Sequence, residues 1–270
     1  MSRTIRNLGL AEIGTLLDWA AAEGWNPGLD DAVAFHAADP HGFFGAFVDG
    51  VMVAGISAVA YDDCFGFIGL YICHPDWRGK GHGRAVWDAG MAYLGSRTIG
   101  LDGVPEQQAN YARMGFVGAY DTIRMSGVLG PVAGAAGARG QPGLTDIAAL
   151  DRACFPARRD EFLRHWLVPP HRSIFHADAG HMQAYAVLRP CRDGAKIGPL
   201  FAGTTPMAFE LVSSLSGPVH IDVPAMHTDW LAALRQLGFT PGFSTRRMYR
   251  GSPPQMDLSR VFGVTTLELG

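Results

Sequence analysis

The stretch His74-Pro75-Asp76-Trp77-Arg78-Gly79-Lys80-Gly81-His82-Gly83-Arg84-Ala85 decides the fold. It lies between an apolar run of strand length, Phe65 to Cys73, and a segment from Gly83 onward in which Val86, Ala89 and Tyr93 recur at helical spacing. His74-Pro75 breaks the strand, so the glycine-rich turn carries the chain from a strand into a helix N-terminus. The first N–H groups of a helix lack intrahelical acceptors and carry partial positive charge, and glycines let an anion's oxygens approach the backbone. Arg78, Lys80 and Arg84 add positive charge. The spacing is neither Gly-x-Gly-x-x-Gly nor a Walker loop, which sets aside those nucleotide sites and leaves a pyrophosphate as the best guest.

Upstream, Phe43 to Val48 and Val51 to Ala60 flank Asp49-Gly50, a pair that favours a tight hairpin turn. Downstream, Arg97 to Leu101 reads as a short strand. Pro105 and Glu106 suit a helix's first turn, Gly115 suits the position past its end, and Phe116 to Met125 reads as a closing strand. Strands, helix, strand, helix, strand make a mixed α/β layer.

Residues 127–143, GVLGPVAGAAGARGQPG, have no helical or strand period and read as a linker. The expected organisation is a first domain over residues 1–127, a Gly/Ala-rich linker over 128–142 and a second domain over 143–270. The halves repeat one order of elements. Gly50-Val51-Met52-Val53-Ala54 matches Gly180-His181-Met182-Gln183-Ala184, and Ile68-Gly69 matches Ile197-Gly198. Leu101-Asp102-Gly103-Val104-Pro105 leading to Gly115-Phe116 resembles Ile221-Asp222-Val223-Pro224 leading to Gly238-Phe239. The second copy is shorter between Gly198 and Ala208 than the first between Gly69 and Ala85, and lacks the glycine-arginine turn. One pyrophosphate site per chain is expected, with the second half forming one wall of the remaining site.

At 270 residues, 48% hydrophobic and 17% charged, the chain is long enough for about two domains and too apolar for disorder. Its 22 Lys and Arg against 25 Asp and Glu argue against a nucleic-acid partner. No apolar stretch approaches a spanning helix and no signal peptide is evident, so a cytoplasmic location without a membrane partner is expected. Cys64, Cys73, Cys154 and Cys191 form no Cys-x-x-Cys pair and read as reduced, mostly buried thiols, and no metal site is expected.

The turn resembles the phosphate loop of the GNAT superfamily of acyl-CoA-dependent N-acetyltransferases, Arg/Gln-x-x-Gly-x-Gly/Ala, through Arg78, Gly81 and Gly83. Tyr111-Ala112-Arg113-Met114-Gly115-Phe116 is similar to that family's Tyr-x-x-x-Gly-Phe helix end. The resemblance covers residues from about 3 to 126 and implies two tandem GNAT-like domains in an α/β mixed sheet, the second a degenerate accessory copy. Lys196-Ile197-Gly198-Pro199-Leu200-Phe201-Ala202 and Arg246-Arg247-Met248-Tyr249 carry the likeness there. It implies acetyl-CoA as cosubstrate, its pantetheine arm on a bulged strand end at Tyr71, Ile72 and Cys73. The pyrophosphate would lie on Arg78, Gly79, Lys80, Gly81, His82, Gly83 and Arg84. Val104 stands where the family often has Asn.

Acetyl transfer needs a neutral amine, a polarised carbonyl and a proton for the departing thiolate. Tyr111 can give that proton, because a phenol near pKa ~10 is not far from a thiol near ~8.5. For the proton acceptor, Phe65 to Cys73 contains no Asp or Glu, where many family members carry one. Asp102 is the first candidate and Asp222, at the corresponding place in the repeat, the second; capping the following turn is the competing role for each. His74 reads as a turn residue and His82 as a loop residue beside phosphate. The expected function is transfer of an acetyl group to the primary amine of a small molecule. The alternative is a non-catalytic acyl-CoA-responsive binding module. The amine's identity and the oligomeric state stay open.

Overall fold

The computed structural model describes residues 2–130, 142–178 and 181–270. Residues 131–141, most of the expected linker, and Gly180 of the repeat lie outside the described residues. The first half runs β1 (Arg3–Asn7), α1 (Leu10–Ala22), α2 (Asp31–Ala38), β2 (Phe43–Val48), β3 (Val51–Ala60), β4 (Phe65–Cys73), α3 (His82–Leu94), β5 (Thr98–Gly103), α4 (Pro105–Arg113) and β6 (Val117–Leu129). The second runs α5 (Leu144–Cys154), α6 (Asp160–Trp166), β7 (Arg172–Asp178), β8 (His181–Pro190), β9 (Ala195–Ala202), α7 (Thr205–Ser213), β10 (Gly217–Pro224), α8 (Thr228–Gln236), β11 (Thr240–Arg250) and β12 (Val261–Gly263).

Pairing follows the order β1-β2-β3-β4-β5-β11-β6-β10-β9-β8-β7, with β12 against β9. The halves are therefore interlocked. The last long strand of each is exchanged: β11 inserts beside β5, while β6 crosses to β10 and also pairs with β11. Thr122 and Thr245 face each other near the middle of the β6–β11 ladder. The boundary expected at residue 127 falls inside β6, because pairing with Gly217 to Pro224 carries that strand on to Leu129.

In α3 the residues that reach the core are Val86, Trp87, Gly90 and Leu94, a face turned slightly from the expected Val86, Ala89 and Tyr93. Val86 and Leu94 are fully buried, each side chain contributing roughly 1.5–3 kcal/mol. Gly90 sets how closely the helix seats on β3, since a Cβ there would lie 3.0 Å from the Ala58 methyl. Among the described residues three large clusters fill the interior: one under α1, α2, α5 and α6, one around β9, β10 and α8, and one between α3 and the first-half strands.

After β12 the chain threads between the halves. Thr265, Thr266, Glu268 and Leu269 are buried. A Cβ on Gly198 would meet the Thr265 carbonyl at 2.3 Å and one on Gly69 the Glu268 carbonyl at 1.9 Å. The glycines that match in the repeat thus give the same segment room on both sides. Cys154 and Cys191 are buried, whereas Cys64 is exposed. No described helix is long and apolar enough to cross a membrane.

Candidate active site

β4 and β5 run parallel only from the Phe65–Thr98 pair to the Ile68–Leu101 pair, after which they part. On its other edge β4 slips register against β3 between Gly55 and Ser57, and Leu70 takes a φ of 46°. A leucine in that region is strained, and such strain persists where the surroundings hold the backbone in place. The bulge leaves Leu70 and Tyr71 without a register partner on β3, and the splay leaves the β5-facing edge of β4 open beyond Ile68. A cavity of ≈ 750 Å³ opens there, lined by Ile68 to Cys73, Arg78 and Tyr111 from the first half and by Phe243, Thr245 and Glu268 from the second.

The glycine-rich turn follows β4 directly, and its Arg78 lines the cavity. Gly79 and Gly81 have φ of 74° and 80°, and Gly81 is the residue from which α3 starts. The first α3 amide bonded back to the turn is Ala85, on Gly81 O at 3.2 Å; the N–H groups before it lack helical acceptors. Nothing lies near a Cβ placed on Gly79, so the cradle is open. Two of the turn's cations are partnered: Arg78 with Glu23, and Arg84 with Asp88 at 2.7 Å. Arg78 Nε also donates to Cys73 O at 3.1 Å, tying the turn to the end of β4. Lys80 donates to Asp76 O at 2.8 Å and lies 4.7 Å from the Trp77 ring. Arg3, from β1, donates to Gly81 O at 3.2 Å, a cation the local pattern around the turn could not reveal. His82 is buried with Nδ1 unpartnered, and His74 stacks edge-on to Trp19. Burial pushes the Tyr71 hydroxyl and the Cys73 thiol up, keeping both protonated near neutrality.

Tyr111 lines the cavity from α4. Its ring stacks on Trp87 at 5.6 Å and meets Phe116 edge-on at 6.2 Å, which fixes its direction. Burial, reinforced by Tyr71, holds its phenol well above the usual value, so it is a proton donor throughout the physiological range.

The two aspartates turn out to be equivalent members of one device. Asp102 on β5 accepts from Arg247 Nε and Nη2 at 2.9 and 2.8 Å, and Asp222 on β10 accepts from Arg124 Nε and Nη2 at 2.7 and 3.0 Å. Their environments differ. Burial raises Asp102, with Arg247 opposing and Asp222 and Glu268 adding to the rise. Burial pushes Asp222 up as well, but Arg124 and Lys196 outweigh it and hold the carboxyl at about 2. Asp102 borders the cavity; Asp222 is not among its lining residues. With both carboxylates committed to arginines, the expectation that either one takes the acceptor's proton loses its footing, and neither caps a turn.

Glu268 escaped the sequence reading. It lies outside any strand or helix, in Thr265-Thr266-Leu267-Glu268-Leu269, and only the threading of that segment against Gly69 brings it to the cavity. Among the described residues no group of three or more His, Cys, Asp or Glu is arranged to hold a metal.

Residues 10–116 match the family model described as the acetyltransferase (GNAT) family, and residues 147–263 match a second described as an acetyltransferase (GNAT) domain. A holothin acyltransferase from Pseudoalteromonas sp. (strain SANK 73390) is 31% identical over 99% of this chain and 94% of its own. Among solved structures, a candidate acetyltransferase from Pyrococcus horikoshii superposes with a TM-score of 0.83 at 20% identity, covering 99% of this chain and 96% of that one. A tandem GNAT protein from the clavulanic acid biosynthesis pathway superposes at 0.63 and 16% identity, covering 93% and 99%.

Proposed function

The chain belongs to the GNAT family of acyltransferases, in its tandem form, and from that premise we propose that it transfers an acetyl group from acetyl-CoA to the primary amine of a small molecule. The observation that carries this reading is the cavity itself. It runs along the open end of β4 to Arg78, the residue that leads into the glycine-rich turn before α3, with a fixed and protonated phenol on its wall. The relative's name puts one compound, holothin, in the acceptor's place, which supports a small-molecule amine here.

The residues present fit acetyl-CoA. Tyr71, Ile72 and Cys73 offer a pantetheine arm the strand edge that the splay from β5 leaves open. Gly79, Lys80, Gly81, His82, Gly83 and Arg84 offer amides and charge to a pyrophosphate, with Arg78 anchoring the turn. When bound, the thioester supplies the activated acyl group. Tyr111 holds the proton that the departing sulfur needs, and Trp87 and Phe116 keep its ring from swinging away. Phe243 and Leu267, from the second half, add apolar surface to the cavity wall. Asp102 acts through Arg247, fixing β11 against β5 and so the wall that carries Phe243 and Thr245.

The experiment is free-CoA release from acetyl-CoA across a panel of small primary amines. Release with at least one amine is expected; tight acetyl-CoA binding with no release across the panel overturns the enzymatic reading in favour of a binding module.

A further inference from the structure

Among the described residues four carboxylates line the cavity: Glu23, Asp102, Glu106 and Glu268. Glu23 is paired with Arg78, Asp102 with Arg247, and Glu106 is exposed. Glu268 is different. The residue is only 3% exposed, and its Oε2 is buried with no hydrogen-bond partner. The cations that feel it are engaged elsewhere: Arg124 with Asp222, Arg189 with Asp31, and Lys196 as donor to Trp25 O at 3.0 Å. A buried carboxylate oxygen without a donor is costly, and in native structures such groups are completed by a ligand, an ion or water or serve a catalytic role. The Thr245 hydroxyl, on the same cavity, is also buried and unpartnered, so a second polar group awaits the same guest.

The Glu268 main chain is fixed independently of its side chain. Its carbonyl accepts from Ser57 Oγ at 3.2 Å and packs against Gly69. The carboxyl group is thus held beside the β4 bulge, where the splayed strands expose the main chain.

We propose that Glu268 is the acidic group of the acceptor pocket, drawing the protonated amine into the cavity beside β4 and taking the proton whose loss frees the nitrogen lone pair. This rests on the acyl-transfer reading above and assigns the proton acceptor that Asp102 and Asp222 do not supply. Over one turnover the ammonium loses two protons. One passes to Glu268 and on to solvent; the other replaces the proton that Tyr111 gives to the leaving sulfur, as the C–N bond forms and the C–S bond breaks. The guest is a cationic primary amine with a polar atom for Thr245.

The test uses the full chain with Glu268→Gln, close in shape but uncharged. KM for the amine is expected to rise about tenfold and kcat to fall ~10²-fold, with acetyl-CoA affinity by calorimetry within about twofold of wild type. A glutamine variant with wild-type amine kinetics overturns the proposal while the acyl-transfer reading stands. A wild type that releases no CoA with any amine overturns that reading and this proposal with it. Should the glutamine variant melt too early to assay, Glu268→Ala gives a second reading: formate is expected to restore its turnover, and a loss that formate leaves untouched overturns the proposal.

Discussion

Arg247 stands directly opposite Asp102 and holds it through two parallel hydrogen bonds, although 145 residues separate them in the chain. Arg124 and Asp222 repeat the arrangement in the other half. Each pair joins a strand of one half to an exchanged strand of the other. Arg247→Met leaves an uncompensated buried carboxylate and is expected to cost ~3–5 kcal/mol, while Asp102→Leu with Arg247→Met recovers most of it. Urea unfolding of the single and double variants measures this, and equal losses in both would show that the charge pair is not what the single change removes.

Acid stability should carry the signature of Asp222. Its folded value, about 2, lies below its ordinary 3.8. The sign follows: the contribution is fully present above the ordinary value and is lost as pH falls through the folded one. It amounts to about 2 kcal/mol. Urea unfolding between pH 5 and 2 should show a drop of this size, and Asp222→Asn should flatten it. An unchanged acid limb in the variant would assign the drop to other carboxylates.

Gly81→Val is expected to weaken acetyl-CoA binding at least ~100-fold. A branched residue is strained at φ of 80°, and moving Gly81 displaces the start of α3 and its open amides. Unchanged affinity by calorimetry would remove this turn from the cosubstrate site.

Tyr111→Phe keeps the ring packed on Trp87 and removes only the proton. It should lower kcat by ~10²-fold with acetyl-CoA affinity near wild type. Because burial raises the phenol above its ordinary value of 10.0, kcat should show no falling limb from its ionisation between about pH 7 and 10. A fully active phenylalanine variant would leave Tyr111 a packing residue.

Gly198→Ala tests the threaded segment away from the cosubstrate. The new methyl would meet the Thr265 carbonyl at 2.3 Å, and the expected cost is about 1–3 kcal/mol in thermal or urea unfolding. A neutral alanine would mean that the segment shifts freely at Thr265.

The strand–turn–helix unit around Gly81 was legible because strand period, proline break and glycine punctuation agree on a short length of chain. The repeat was legible too, down to Gly69 with Gly198 and Asp102 with Asp222. The strand exchange was not, since β11 pairs equally well with a neighbour from either half as far as its own residues show, and pairing partners far apart in sequence leave no local period. The roles of Asp102 and Asp222 were hidden with it. An aspartate at a strand end looks alike whether its arginine stands opposite or a solvent gap does. Glu268 had no periodic segment around it, and its place depends on the room left by a glycine on a distant strand.

Strand exchange also dictates how this protein must come off the ribosome. The edge of β5 that will receive Arg247 is synthesised with its partner still 145 residues away, and at ordinary elongation rates it waits on the order of 10 s uncovered. An open edge of that kind is a template for pairing with other chains, and pairings so distant in sequence form slowly. The nascent first half can collapse around α3 and β3 but cannot close its sheet. Its yield in the cell should therefore depend on chaperone capacity and temperature during translation more than its finished stability would suggest.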